Sequence, residues 1–412
     1  MTMSTVIRPL APSERMYASA GVYVGYAVEV SGRLDVAALS AAYEAVVRAY
    51  PVLGARLEPA EDGGYVLVGS TGAAPEISVV DDASGRLVID QKLDQRAALS
   101  AVCVVRDGAT ASVALLTHHS VADAYHSLTV LAELWSCYTD VVAGRSPERK
   151  VHPYPVSIEE LLAERGIEKM TGPVSAEQPT VAMTPTEAEP TPDDWSMAPQ
   201  VSRCRLSVAE TAALVALGHR EGVTINGLVS AAILLSEAEI RALPLTGIQY
   251  IYPVDLRTRI TPAVGLTDGT DLLGFATYTP AEPTGLLELA HGICESLWAG
   301  LADGTVRQTP LHIPDMAETV TAPDPGLVIV SNWGRVPDLR VPEGLRINDF
   351  RSTVTATAEP EAGPPQQPTG GTCILSTFGG RLSIEIHHLT STATQQQRRA
   401  DSYAAKLRGI LT

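Results

Sequence analysis

The chain has 412 residues, of which 45% are hydrophobic and 19% charged, a globular mixture of two or three domains' length that excludes a disordered chain. Its 30 Lys and Arg stand against 47 Asp and Glu, a formal net charge of −17, which argues against a broad basic face for nucleic acid or anionic lipid. Five cysteines at long spacings, with no CxxC pair, argue against a disulfide framework or a zinc site and leave buried free thiols as the reading.

The opening MTMSTVIRPLAPSER has no apolar signal-peptide core, and no apolar run reaches the roughly 18 residues of a membrane span. A cytoplasmic, monomeric protein without a membrane span is expected. Residues 21–30 (GVYVGYAVEV) predict a strand. Residues 35–50 place Val36, Leu39, Tyr43 and Val46 or Val47 on one helical face, with Asp35 as N-cap and Pro51 as the stop. Short strands are expected around 52–58, 64–69, 76–80, 101–106 and 111–117, then a helix from about 121 to 143. Residues 171–200 hold six prolines and no apolar period, so they read as a linker between an N-terminal half, 1–170, and a C-terminal half, 201–412. The second half predicts a strand at 201–206, helices at 208–220 and 225–241, strands at 247–254 and 272–279, and a helix at 284–301. Strands at 326–331, 345–357, 373–378 and 382–388 follow, interrupted by a Pro/Gly loop at 359–371, and a helix at about 393–410 ends the chain.

The chemistry concentrates in HHSVADA, residues 118–124. The strand at 111–117 delivers two histidines to the start of a helix, so His119 stands at a strand-to-helix junction. A histidine of near-neutral pKa there takes a proton from an incoming hydroxyl or amine. Asp123 lies four residues on, close enough to invite a triad reading. No GxSxG elbow marks a covalent nucleophile, so direct transfer with His119 as base is the simpler chemistry. His118, His119, Asp123 and His126 also suggest metal ligation, but adjacent strand histidines point to opposite faces and no HExxH is present. The Gly-rich run at 63–72 lacks a nucleotide-binding pattern, and Asp268, Gly269 and Asp271 lack EF-hand spacing. No metal site is expected. His387 and His388 have no Asp at motif spacing and read as structural.

HHSVADA resembles the HHxxxD motif of the condensation-domain and acyltransferase superfamily. Tyr138, fifteen residues after Asp123, and the stretch LAELWSCYTDVVAG (131–144) resemble the mycobacterial polyketide-associated, phthiocerol dimycocerosyl transferase-like acyltransferases. RAYPVLGARLE (48–58), YPVDLRTRI (252–260) and VSNWGRVP (330–337) resemble further segments of such enzymes, so the likeness spans nearly the whole chain. Chloramphenicol acetyltransferases carry their HxxxD near the C-terminus; here the motif lies in the first third, as in single-chain pseudodimers. Ala124 stands where Gly is common in the family.

The resemblance implies an α/β fold of two chloramphenicol-acetyltransferase-like halves, each with a mixed sheet, and a tunnel between them. It implies His119 as general base, His118 as motif support, and Asp123 paired with Arg257 as architecture. Tyr138 is either a family position or one member of an apolar stripe with Leu128, Leu131, Trp135 and Val142. His126 either lines the tunnel or is exposed, and Asn332, Trp333 and Gly334 either frame the cleft or form a β-turn. The activity implied is O-acyl transfer from a thioester to a hydroxyl of a lipid- or polyketide-type secondary metabolite, as in rifamycin-type O-acetylation or long-chain transfer. No bound cofactor is expected. The donor is acyl-CoA or a phosphopantetheinyl acyl carrier protein; the acidic surface tips towards CoA, unless a basic patch at Arg145, Arg149 and Lys150 docks a carrier. Amide formation by a stand-alone condensation enzyme, thioester hydrolysis, and a non-catalytic docking module are the alternatives.

Overall fold

The computed structural model describes residues 5–69, 75–82, 93–170, 200–314, 325–357, 371–388 and 393–412. In chain order its first elements are β1 (Val6–Pro9), α1 (Pro12–Ala20), β2 (Val22–Gly32), α2 (Val36–Ala49), β3 (Arg56–Pro59), β4 (Tyr65–Val68), β5 (Ser78–Asp81), β6 (Ser100–Asp107), β7 (Thr110–His118), α3 (Ala124–Val142) and α4 (Ile158–Ala163). The remainder are β8 (Gln200–Arg205), α5 (Val208–Glu221), α6 (Ile225–Ile240), β9 (Gln249–Asp255), β10 (Leu273–Tyr278), α7 (Leu286–Ala302), β11 (Leu327–Arg335), β12 (Leu345–Ala356), β13 (Thr372–Phe378), β14 (Arg381–His388) and a C-terminal helix (Ala393–Gly409). Nearly all of the proline-rich segment expected at 171–200, and of the Pro/Gly loop expected at 359–371, lies outside the described residues. Among the described residues, no single helix is long and apolar enough to cross a membrane.

Local chemistry sets most boundaries. Asp35 Oδ1 accepts Ala38 N–H at 3.0 Å and opens α2; Thr224 Oγ1 does the same for Gly227 N–H in α6 at 3.0 Å. Two expectations need correction. The strand expected from residue 52 starts only at Arg56, because Pro51 leads out of α2 into a 3-10 turn over Pro51–Gly54. Helix α1 lies in an N-terminal segment for which the sequence predicts no element. Pro12 sits at its first position, Glu14 Oε2 returns to Ala11 N–H at 2.7 Å, and Gly21 ends it in the left-handed region at φ 59°.

The described chain forms two compact units. The first comprises Met1–Gly166, Ile260–Leu272 and Pro337–Gly363; the second comprises Ile167–Arg259, Leu273–Val336 and Pro364–Thr412. In the first, a five-stranded sheet has the order β12-β2-β7-β6-β5, with β5 parallel to β6 and the other pairs antiparallel, beside a small β1-β4-β3 sheet. Strand β7 is central and buried on both faces from Ala111 onward. Its two-residue period sends Ala114, Leu116 and His118 to the face shared with Tyr23 and Cys103, and Thr117 to the face carrying Ser127 of α3.

In the second unit, a six-stranded mixed sheet has the order β10-β9-β11-β13-β14-β8 and β11 runs parallel to both neighbours. Helix α6 buries Leu228, Val229, Ala231, Ala232, Ile233 and Leu234, as expected of a helix that is apolar nearly all round. Its one buried acid, Glu237, accepts bonds from Arg241 (2.6 Å), Arg399 (2.7 Å) and Tyr403 (2.5 Å). Each unit thus carries one large sheet with helices against it, the α/β class expected. All five cysteines are buried free thiols.

Candidate active site

The two motif histidines have opposite fates. His118, the last residue of β7, is fully buried. Its Nδ1 accepts Ser120 N–H at 3.2 Å, so its Nε2 carries the proton and donates to Gln95 Oε1 at 2.9 Å. Tyr23 packs edge-on at 4.8 Å. Burial, with His119 adjacent, pushes its pKa down to about 3. A proton therefore prefers the unfolded chain, where the pKa is near 6.5. The stability that neutral His118 contributes is complete above pH ~6.5 and is lost as pH falls from there towards the folded pKa. Thermal melts of wild type and His118→Gln should show a gap that narrows steadily between pH 7 and pH 4. A gap independent of pH would contradict this.

His119 begins the loop between β7 and α3, pinned by its N–H to the Val22 carbonyl at 2.8 Å. About a fifth of its side chain is exposed, yet Nδ1 is buried and finds no partner in another residue within hydrogen-bond distance. The exposed part of the ring therefore carries Nε2. Asp271 Oδ2 stands 3.7 Å from Nδ1. The ring of Tyr17, from α1, stacks on the imidazole with centroids 4.0 Å apart and planes 12° from parallel. Enclosure pushes the pKa of His119 below its ordinary value, while its own backbone carbonyl and the Asp123 charge oppose that shift. The result is an unprotonated ring at neutral pH with one nitrogen accessible, the state a general base requires.

Asp123 is fully buried and is the N-cap of α3. Oδ1 accepts His126 N–H and Oδ2 accepts Leu272 N–H, both at 3.0 Å, while Asp123 N–H donates to the Thr270 carbonyl at 2.9 Å. It clamps the motif loop to segment 268–272. Glu14 completes the frame from α1. Arg8 grips both its oxygens at 2.7 Å, Thr270 Oγ1 donates to it at 2.7 Å, and its backbone carbonyl accepts Ser120 Oγ at 2.7 Å. Three segments far apart in sequence thus fix the position of His119.

His126 is buried, not exposed, and its Nδ1 lies 3.2 Å from the Gly269 carbonyl. With His118 directed to Gln95 and His119 to Asp271, the three rings serve different partners. Tyr138 is buried edge-on to Trp135 at 5.6 Å and accepts Asp35 N–H at 3.0 Å, tying α3 to the start of α2. Leu128, Leu131 and Trp135 are buried with it, but Val142 at the helix end is 44% exposed and leaves the stripe. Arg257, expected as the partner of Asp123, is buried, and its Nη1 donates to Asp255 Oδ1 at 2.9 Å. Asn332, Trp333 and Gly334 continue β11 through an irregularity in register. There Asn332 Oδ1 accepts Gly334 N–H at 2.8 Å, Gly334 has φ 70°, and Trp333 is buried. The basic run at 145–150 is largely spent: Arg145 and Arg149 pair with Asp140, which Arg340 also holds at 2.6 Å, and Arg149 binds Glu133 at 2.7 Å.

Sequence reasoning passed over Tyr17 and considered Asp271 only within a calcium pattern. Pro12 followed by Glu14 was the available signal for the helix that carries Tyr17. Nothing in the sequence signals that Asp271, 152 positions from His119, lies beside it.

Residues 195–387 match the family profile described as phthiocerol/phthiodiolone dimycocerosyl transferase C-terminus. A phthiocerol/phthiodiolone dimycocerosyl transferase of Mycobacterium sp. (strain JLS) is 36% identical over 410 residues, 95% of each chain. The solved structure of polyketide synthase associated protein 5 from Mycobacterium tuberculosis is 31% identical and superposes with a TM-score of 0.81, covering 100% of this chain and 99% of its own. The first condensation domain of the calcium-dependent antibiotic synthetase shares the fold at TM-score 0.68 and 15% identity, covering 99% and 97% of the two chains.

Proposed function

The chain belongs to the phthiocerol/phthiodiolone dimycocerosyl transferase family and is an acyltransferase; from that premise we propose that it moves an acyl group from a thioester to a hydroxyl of a lipid- or polyketide-type metabolite, with His119 as general base. The observation that carries this reading is His119 itself: a partly exposed imidazole at the end of β7, its Nδ1 buried and its ring stacked on Tyr17. Nε2 takes the hydroxyl proton as the oxygen attacks the thioester carbonyl. The tetrahedral intermediate then collapses, the C–S bond breaks, and the imidazolium returns the proton to the departing thiolate. No covalent acyl-enzyme is needed. His118, neutral and buried, shapes the loop, and Asp123 holds it to segment 268–272.

The relatives named as phthiocerol/phthiodiolone dimycocerosyl transferases support a lipid alcohol as acceptor. For the donor, the acidic surface and the pairing of Arg145 and Arg149 with neighbouring acids favour acyl-CoA over an acidic carrier protein. The test incubates the protein with acyl-CoA or acyl-carrier protein and a long-chain alcohol or amine, and identifies products by mass spectrometry. Ester from acyl-CoA is the expected product. Amide alone, or free acid alone, would overturn the acceptor assignment; ester only from the carrier would overturn the donor assignment.

A further inference from the structure

We propose that Asp271 and Tyr17 form, with His119, a positioning triad in which the Asp271 carboxylate sets the basicity of the imidazole and Tyr17 fixes its plane. The inference rests on the reading of His119 as base and deepens it. Three observations carry it. Nδ1 of His119 is buried without a hydrogen-bond partner in another residue, and the Asp271 carboxylate stands 3.7 Å away on that side. Tyr17 lies nearly parallel on the imidazole at 4.0 Å. Burial together with the nearby Asp271 carboxylate holds its phenol protonated, raised well above its ordinary pKa. Tyr17 thus stacks on the base and feels the charge of the carboxylate beside it.

Asp271 itself is held by its neighbours in sequence. The Thr270 hydroxyl binds Glu14, the Thr270 carbonyl accepts Asp123 N–H, and the Leu272 N–H binds Asp123. The residue between them has no freedom to drift. When His119 takes a proton, the positive charge spreads onto Nδ1, opposite a fixed negative charge in a poorly solvated setting, where such an interaction is strong. Asp271 acts through His119 and does not itself touch the reacting atoms. Its distance of 3.7 Å is that of charge stabilisation. The groups facing the imidazole on its own and packed elements are Tyr17, Asp123 and Asp271, with His118 adjacent.

The test compares Asp271→Asn, Tyr17→Phe and His119→Ala as full-length proteins in the acyl-transfer assay over a range of pH. Asp271→Asn should lower kcat about 10- to 100-fold with KM little changed, and should move the acid limb of the kcat/KM profile to lower pH, because a negative charge beside the base is gone. Tyr17→Phe keeps the stacked ring but removes the phenol coupled to the Asp271 carboxylate, leaving that charge more fully to the imidazole, so its acid limb should move the opposite way. Adding Asp271→Asn to His119→Ala should cost nothing further, since one acts through the other. Unshifted limbs and wild-type kcat in both Asp271→Asn and Tyr17→Phe, beside an inactive His119→Ala, would overturn the triad and leave the base standing. An active His119→Ala would remove the base itself. If Asp271→Asn fails to fold, the direction of the Tyr17→Phe shift decides.

Discussion

Replacing His119 with Ala should lower acyl transfer by about 10²- to 10⁴-fold, the span general base catalysis supplies, while the protein stays folded. The two halves of that expectation come from the same geometry. Beyond its backbone N–H, the residue makes no hydrogen bond from its ring to another residue; its side chain contributes the stack on Tyr17 and the approach to Asp271. Losing a partly exposed ring with so few polar contacts leaves no stranded donor in the frame, since Ser120, Asp123 and Thr270 keep their bonds to Glu14, to Leu272 and to each other. The melting temperature should therefore change by no more than a few degrees. KM for the thioester should hold, because the loss falls on a proton transfer and not on ground-state binding. Steady-state kinetics beside a thermal melt decide the matter: a variant with most of its rate would end the base assignment, and an unfolded one would show that the ring is structural.

The largest effect on stability is expected in the second unit, at Glu237. Its carboxylate is 1% exposed and holds Arg241, Arg399 and Tyr403. Burial alone would push its pKa up, but the two guanidinium groups outweigh that and keep it ionised below the ordinary glutamate value. Glu237→Ala leaves both arginines buried with a shared counter-charge missing, so destabilisation of about 3–5 kcal/mol is expected. Such a loss would place the variant near the margin of stability for a domain. The triple change Glu237→Leu, Arg241→Met, Arg399→Met tests the cause. Removing every charge together spares the desolvation of all three and should recover most of the loss. Urea denaturation of the three proteins separates the outcomes; a triple variant no better than the single one would show that the network contributes by its bonds and not through a stranded charge.

Much of this was legible from residues read in order. Period-two strands such as 111–117, the capped helix after Asp35 and the apolar helix from 225 follow from local preferences, and the structure places them within a few residues. The HHSVADA run points to a candidate base just after a strand because the strand's alternation alone separates His118 from His119. The strand expected from residue 52 was misplaced because one proline outweighed an apolar run. Helix α1 was overlooked because its apolar stripe is weak and its stability comes from Glu14, whose partners Arg8 and Thr270 lie outside the helix.

What the sequence determined by itself, then, was the α/β class and the family, and it singled out His119 as the candidate base, since each is written in short-range pattern or in a motif of fixed spacing. The tertiary structure alone decided what surrounds His119. Asp271 reaches His119 only because Ile260–Leu272 returns to the first unit, after the chain has already contributed β8, α5, α6 and β9 to the second. No propensity or period marks such a return. It is fixed by bonds from Thr270 and Leu272 to Glu14 and Asp123, and buried polar groups find such partners wherever the fold brings them, at any distance along the chain.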